Sequence, residues 1–135
     1  MVIDTSALMA ILNNESIAGR VKDAMIEADD IAISAATLVE LQAVLSHRGD
    51  SAMLRDAEQL LRDADVITAD FTASQAVRAR LAYREYGKAS GHRAKLNMGD
   101  CFSYALATEI GEPLLYVGDD FIYTDVISAL DSPLP

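Results

Sequence analysis

Apolar positions along the chain fall into four short runs, Met1–Asp4, Ile31–Ile33, Asp65–Ile67 and Leu114–Val117, separated by longer segments of helical period. The short runs read as buried strands. Thr5 to Leu12 predicts a helix stopped by Asn13-Asn14, and Ser16 to Ala28 a second one carrying Ile17, Val21, Ala24, Met25 and Ala28 on one face. Ala35 to His47 is apolar on most sides, which predicts a helix buried nearly all round. Arg48-Gly49-Asp50 breaks it, and Ala52 to Ala64 follows as a charged amphipathic helix. A further helix is expected from Phe71 to Tyr86, starting near Asp70 or Thr72. Beyond a polar loop from Gly87 to Met98, residues 99–110 predict another buried helix, ended by Gly111 with Pro113 just after it. Val126 to Leu130 fits a short strand or a helical turn equally well. Strands alternating with helices predict an α/β domain whose short, mostly parallel sheet is covered by helices on both faces.

Length sharpens this to one domain over residues 1–135, since 135 residues support one substantial core but not two. Hydrophobic residues make up 51% of the chain and no Gly/Ser-rich or Pro-rich linker divides it, so a compact fold is expected rather than disorder. The apolar runs are far shorter than a membrane span and no basic leader precedes Asp4, so no membrane association and a cytoplasmic location are expected. A lone Cys101 allows no internal disulfide.

Four acidic positions run against the stability pattern. Asp4 ends the first apolar run, Glu40 interrupts the Ala35–Leu45 helix, Asp100 opens Cys101-Phe102-Ser103-Tyr104-Ala105-Leu106-Ala107, and Asp119-Asp120 follow Leu114-Leu115-Tyr116-Val117-Gly118. No Lys or Arg stands within four residues of Asp4, Glu40, Asp100 or Asp119. Singly, three of them have a structural use: Asp4 as a helix N-cap, Asp100 in a first helical turn, Asp119-Asp120 as turn residues. Glu40 has none, because the middle of an apolar helix needs no carboxylate. Jointly they point to a shared hard cation, since acids among core residues cost free energy unless paired or metal-bound. An all-carboxylate set without a Cys or His group favours Mg²⁺, with Mn²⁺ as the alternative, over Zn²⁺. In a parallel sheet, Asp4 and Asp119 each follow a strand and so face the crevice at the carboxyl ends. Of the adjacent pair, Asp119 is expected to face the crevice and Asp120 its rim.

Met-Val-Ile-Asp-Thr-Ser-Ala-Leu at residues 1–8, Thr-Leu-Val-Glu at 37–40, Asn-Met-Gly-Asp-Cys-Phe-Ser-Tyr-Ala-Leu-Ala at 97–107 and Gly-Glu-Pro-Leu-Leu-Tyr-Val-Gly-Asp-Asp-Phe at 111–121 resemble the PIN-domain ribonucleases, and within these the VapC toxins of bacterial toxin–antitoxin pairs. The resemblance runs from Met1 to about Val126. It implies a PIN-like three-layer α/β/α fold and Mg²⁺-dependent endonucleolytic cleavage of RNA by an acidic quartet of Asp4, Glu40, Asp100 and Asp119. Asp4 and Asp100 would be the direct metal ligands, Glu40 would bind a second metal or orient water, and Asp119 would hold metal-bound water. Asp120 is the other candidate for the fourth acid, and Thr5 and Ser6 match the polar residues after the first Asp. A small VapB-type antitoxin as partner and a homodimer, or a heteromeric complex with the antitoxin, are further implications. Where relatives often carry Lys before the Gly-Asp-Asp-Phe segment, Val117 stands here.

The net charge of −10 excludes general affinity for nucleic acid. Six of the eleven basic residues nevertheless cluster between Arg78 and Lys95, and Arg84, Lys88, Arg93 and Lys95 are candidate RNA contacts. On sequence alone, the same segment reads first as a solvated helix face followed by a basic loop. Two other enzyme classes have weaker footholds: a thiol enzyme using Cys101 with His47 or His92, and a phosphoaspartate phosphatase of the haloacid dehalogenase type. The latter needs a second Asp two residues after the first, where Ser6 stands. A catalytically silent interaction module is the non-enzymatic alternative.

Overall fold

A computed structural model of the chain describes residues 1–131. Strands β1 (Val2–Ile3), β2 (Ala32–Ser34), β3 (Ile67–Ala69) and β4 (Leu114–Leu115) form one sheet in the order β3-β2-β1-β4, every neighbouring pair parallel. Helices α1 (Thr5–Leu12), α2 (Ala18–Glu27), α3 (Ala35–His47), α4 (Ser51–Asp63), α5 (Ala73–Tyr86) and α6 (Met98–Ile110) fill the connections.

The strand pleat sorts side chains into two cores. Val2 and Leu114, paired across β1 and β4, point to the side that holds Ala79, Ala82 and Tyr86 of α5 and Cys101, Ala105 and Leu106 of α6. Their neighbours Ile3 and Leu115 point the other way, to Ala7 and Leu8 of α1, Val21 and Met25 of α2, Leu41 and Leu45 of α3 and Ala57 of α4. A period of two in the strands thus separates α1–α4 from α5–α6 and produces the three-layer α/β/α arrangement.

The chain moves outward from β1 through β2 to β3, then returns to place β4 on the other side of β1. That reversal makes the carboxyl ends of β1 and β4 a switch point, where open parallel sheets leave a crevice. Helices α1 and α3 follow β1 and β2 without a gap wider than one residue, so both begin at this end of the sheet.

Several expected boundaries shift for local reasons. Strand β3 begins at Ile67 rather than Asp65, because Asp65 takes a left-handed turn (φ 51°) and its amide and that of Val66 close the end of α4 on Arg62 and Leu61. Helix α3 is not buried nearly all round: Thr37, Leu41 and Leu45 are buried, but Val39 is 70% exposed. It packs with one stripe on the sheet and neighbouring helices, leaving its outer side to solvent. The polar loop after α5 carries a short 3₁₀ turn at Lys88–Ser90 and is tied down by the Gly87–Leu96 bridge, with Leu96 fully buried. Residues 126–130 form neither a full strand nor a helix; Ser128 makes an isolated bridge to Leu114.

One-sided burial of α3 has a measurable consequence. Leu41→Ala should cost about 2–5 kcal/mol by urea denaturation, while Val39→Ala, on the same helix, should stay within about 0.5 kcal/mol. Comparable losses at both would mean that something covers the outer side of α3.

Candidate active site

Asp4 sits where β1 ends, and its carboxylate caps α1: Oδ2 accepts from the Ser6 amide at 3.0 Å and from Ser6 Oγ at 2.7 Å. Ser6 Oγ in turn accepts from the Val117 amide at 3.1 Å, tying α1 to the chain just past β4. The second oxygen, Oδ1, accepts from Ser103 Oγ of α6 at 2.6 Å, and Ser103 lies 3.3 Å from Thr37 Oγ1 of α3. Asp4, Ser103 and Thr37 are all buried. One carboxylate therefore joins three helices through hydroxyls, and a buried acid with satisfied oxygens escapes most of its desolvation cost.

Glu40 reaches the same place from the second turn of α3. Its Oε1 accepts from Thr5 Oγ1 at 3.0 Å, and its carboxyl lies against Gly99 in the first turn of α6. Asp100 closes a reciprocal capping box: Asn97 Oδ1 accepts from the Asp100 amide at 2.8 Å, and Asp100 Oδ2 accepts from the Asn97 amide at 2.9 Å. Asp100 Oδ1 and Glu40 Oε2 accept no hydrogen bond from the described residues.

The electrostatics record crowding. Burial raises the Asp100 carboxyl to about 7, against the pull of the Asn97 amide, and the charges of Asp4, Asp120 and Glu40 push the same way. Burial likewise raises Glu40, the Thr5 bond opposes it, and Asp4 adds to the rise. Among the described residues the one ion pair joins Glu112 to the terminal amine, so no Lys or Arg neutralises this group. A divalent cation would. Among the described residues no three acidic, His or Cys side chains close on one ion position. One or two carboxylates with water in the remaining positions is a donor set that suits a hard divalent cation.

Asp4, Thr5, Ser6, Glu40 and Asp100 thus come together. Asp119 and Asp120 are both exposed, but Asp120 is the one whose charge acts on Asp100. Their segment is moored by the Tyr104 hydroxyl donating to Asp125 at 2.7 Å, by Tyr116 against Phe121, and by the Arg93 guanidinium 4.1 Å from the centre of the Tyr123 ring. Sequence reasoning passed over Ser103, Thr37, Asn97 and Gly99. Ser103 was signalled by its spacing, one helical turn beyond Asp100 and on the same face.

The basic segment is spread over three elements. Arg80 and Arg84 flank Val77 and Leu81 on the outside of α5, Lys88 lies in the 3₁₀ turn, and Arg93 and Lys95 occupy the loop leading to α6. Arg84, Lys88, Arg93 and Lys95 are all exposed. Cys101 is buried and its thiol is raised to about 12 by burial and the Asp100 charge, so it is no thiolate nucleophile. Ser6, at the second-Asp position of a phosphoaspartate enzyme, is committed to Asp4 and the Val117 amide.

The raised Asp100 carboxyl predicts a pH dependence of stability without metal. Between about pH 4 and 7 the unfolded chain has lost this proton and the folded chain keeps it, so this group's contribution to stability falls as pH rises through that window and the full penalty is present above it. Asp100→Asn keeps an acceptor for the Asn97 amide and removes the charge. It should be more stable than the parent at pH 8 by roughly 2–4 kcal/mol, the gain vanishing towards pH 4. Melting curves in EDTA across this range check it, and equal pH slopes for the two proteins would assign the loss to other groups.

Comparison with known proteins bears on the same residues. The PIN domain family model matches residues 1–127. Ribonuclease VapC28 of Mycobacterium tuberculosis is 44% identical over 131 residues, covering 97% of this chain and 98% of that protein. Ribonuclease VapC30 of the same species is 47% identical over 127 residues, covering 93% and 95%. The crystal structure of Mycobacterium tuberculosis VapC20, described as a sarcin-ricin loop cleaving toxin, superposes with a TM-score of 0.71 at 18% identity, over 93% of this chain and 95% of that one. The chain belongs to the PIN domain family, among its VapC ribonucleases.

Proposed function

We propose that this chain is the toxin of a VapB–VapC pair, an Mg²⁺-dependent endoribonuclease that cleaves RNA phosphodiester bonds in the cytoplasm. Three carboxylates from β1, α3 and α6, gathered at the sheet's carboxyl end without a counter-cation, carry this assignment in a chain 44% identical to VapC ribonucleases.

Asp4 and Asp100 would hold the ion. Bound Mg²⁺ supplies a water of lowered pKa and charge neutralisation at the attacked phosphate. Thr5 fixes one oxygen of Glu40, leaving Oε2 to accept a hydrogen from an attacking water or to meet a second ion. Ser6 and Ser103 orient Asp4. Asp120, whose field reaches Asp100, is our choice for the fourth acid, with Asp119 beside it in the same exposed turn. Arg84, Lys88, Arg93 and Lys95 would guide RNA phosphates towards an otherwise repulsive site.

The antitoxin would be a small protein, and the apolar cavity of about 650 Å³ lined by Phe71, Tyr83, Met98 and Phe102 offers a place for its side chains or those of a second copy. Among the described residues no helix is long and apolar enough to cross a membrane.

Cleavage of a fluorescent RNA should require Mg²⁺ or Mn²⁺ and stop in excess EDTA. Asp4→Asn should lower it by about a hundredfold or more with the protein still folded. Asp120→Asn should harm turnover more than Asp119→Asn. Undiminished activity in EDTA or in Asp4→Asn would overturn the metal mechanism, and a larger loss at Asp119 would reassign the fourth acid.

Charge removal at Arg84, Lys88, Arg93 and Lys95 should weaken RNA binding and reduce its salt dependence, by about 0.7 in the log–log slope for each RNA phosphate that is no longer neutralised. Binding titrations across a salt series measure this, with Mn²⁺ binding expected to stay unchanged. Superimposable slopes and affinities would place the RNA elsewhere.

A further inference from the structure

Gly99 lies in the first turn of α6, one residue before Asp100, and it is buried. Its backbone does not call for glycine: the positive-φ glycines are Gly49, Gly91, Gly111 and Gly118, and a Cβ at any of those would meet nothing within 4 Å. Inside a helix, glycine is a poorer choice than alanine. A Cβ on Gly99, however, would occupy the space of Glu40 Oε2 and the Glu40 carboxyl carbon, and would stand 2.8 Å from Oε1. Of the seven glycines, this is the one whose missing side chain is replaced by a carboxylate of the candidate site.

We infer that Gly99 is a positioning residue for Glu40, its absent Cβ forming the seat in which the Glu40 carboxylate lies beside Asp100. The seat has two sides. Thr5 Oγ1 holds Oε1 at 3.0 Å from α1, and the bare Cα of Gly99 lets the rest of the carboxyl drop against α6. Glu40 extends from α3 on a flexible stem, so without this seat nothing described would keep it at the acid cluster. The adjacency also reaches Asp100, on which the Glu40 charge acts.

The clash from a methyl group falls on the end of a flexible side chain rather than on backbone, so the fold should survive and Glu40 should yield. Crystal structures of the parent and of Gly99→Ala test this directly. The expected result is an intact α6, with Glu40 swung away and its Thr5 bond broken. Glu40 still bonded to Thr5 in the variant would overturn the inference. Should Gly99→Ala fail to fold, Gly99→Ala/Glu40→Ala, in which the carboxylate is gone, should fold and melt no lower than Glu40→Ala; a lower melting point would overturn it too.

The functional arm rests on the ribonuclease reading. Gly99→Ala should lower kcat by about a hundredfold, the scale of a missing general base, with KM changed far less. In a Glu40→Gln background it should cause no further loss. A parental rate in Gly99→Ala, or an equal additional loss in that background, would show that Gly99 does not act through Glu40. If the parent protein cleaves no RNA, the ribonuclease reading fails while the structural comparison still decides the role of Gly99.

Discussion

Like charges brought together out of water, with no basic side chain among them, are the constraint on which the site depends. Asp4, Glu40 and Asp100 come from three separate elements, and each is held by a different device. Asp4 has both oxygens occupied by hydroxyls and an amide, Glu40 has one hydroxyl and a glycine seat, and Asp100 has its capping box. Hydrogen bonds to the ionised form offset desolvation, but they do not remove the mutual repulsion that helps to leave Asp100 near 7. Such a cluster is stable enough to form and electrostatically incomplete, and a divalent cation would complete it.

Architecture delivers these groups to one place. With β1 central and β4 returning on its far side, the ends of both strands open at the same switch point. Helices α1 and α3 begin directly after β1 and β2, so Asp4 and Ser34 serve as their N-caps at the edge of the crevice. Helix α6 packs on the opposite face of the sheet and presents Gly99, Asp100 and Ser103 within its first two turns. Each receives or supplies one member of the cluster: Gly99 seats Glu40, Asp100 is itself an acid, and Ser103 holds Asp4. The two cores on either side of the sheet keep α3 and α6 apart except at this end, where small and hydroxylated residues let them meet.

The turn after β4 is arranged differently. Asp119 and Asp120 are exposed, and what holds their segment is aromatic and polar contact with α6 and the preceding loop, through Tyr104–Asp125, Tyr116–Phe121 and Arg93–Tyr123. An exposed acid on a moored turn suits water-mediated work better than direct ligation. Arg93 thereby belongs to the frame of this turn as well as to the basic segment.

The hydrophobic pattern by itself determined the alternation of strands and helices, the glycine end of α6 at Gly111, the helix breaks at Asn13 and Arg48, and the oddity of Asp4, Glu40 and Asp100, because period and burial cost are local properties of the chain. The four motifs in order identified the family for the same reason. Tertiary structure alone decided the rest. The exposure of Val39 depends on how many neighbours α3 finds, and the start of β3 on how α4 closes over Asp65. That the charge of Asp120 acts on Asp100 depends on where the turn after β4 lies against α6. The roles of Ser103 and Gly99 come from what lies across from them, 99 residues away at Asp4 for one and on α3 for the other. Spacing puts a hydroxyl such as Ser103 on the right helix face, but the role of a hydroxyl or of a missing Cβ is not written along the chain. That role is set by the partner that packing brings to it.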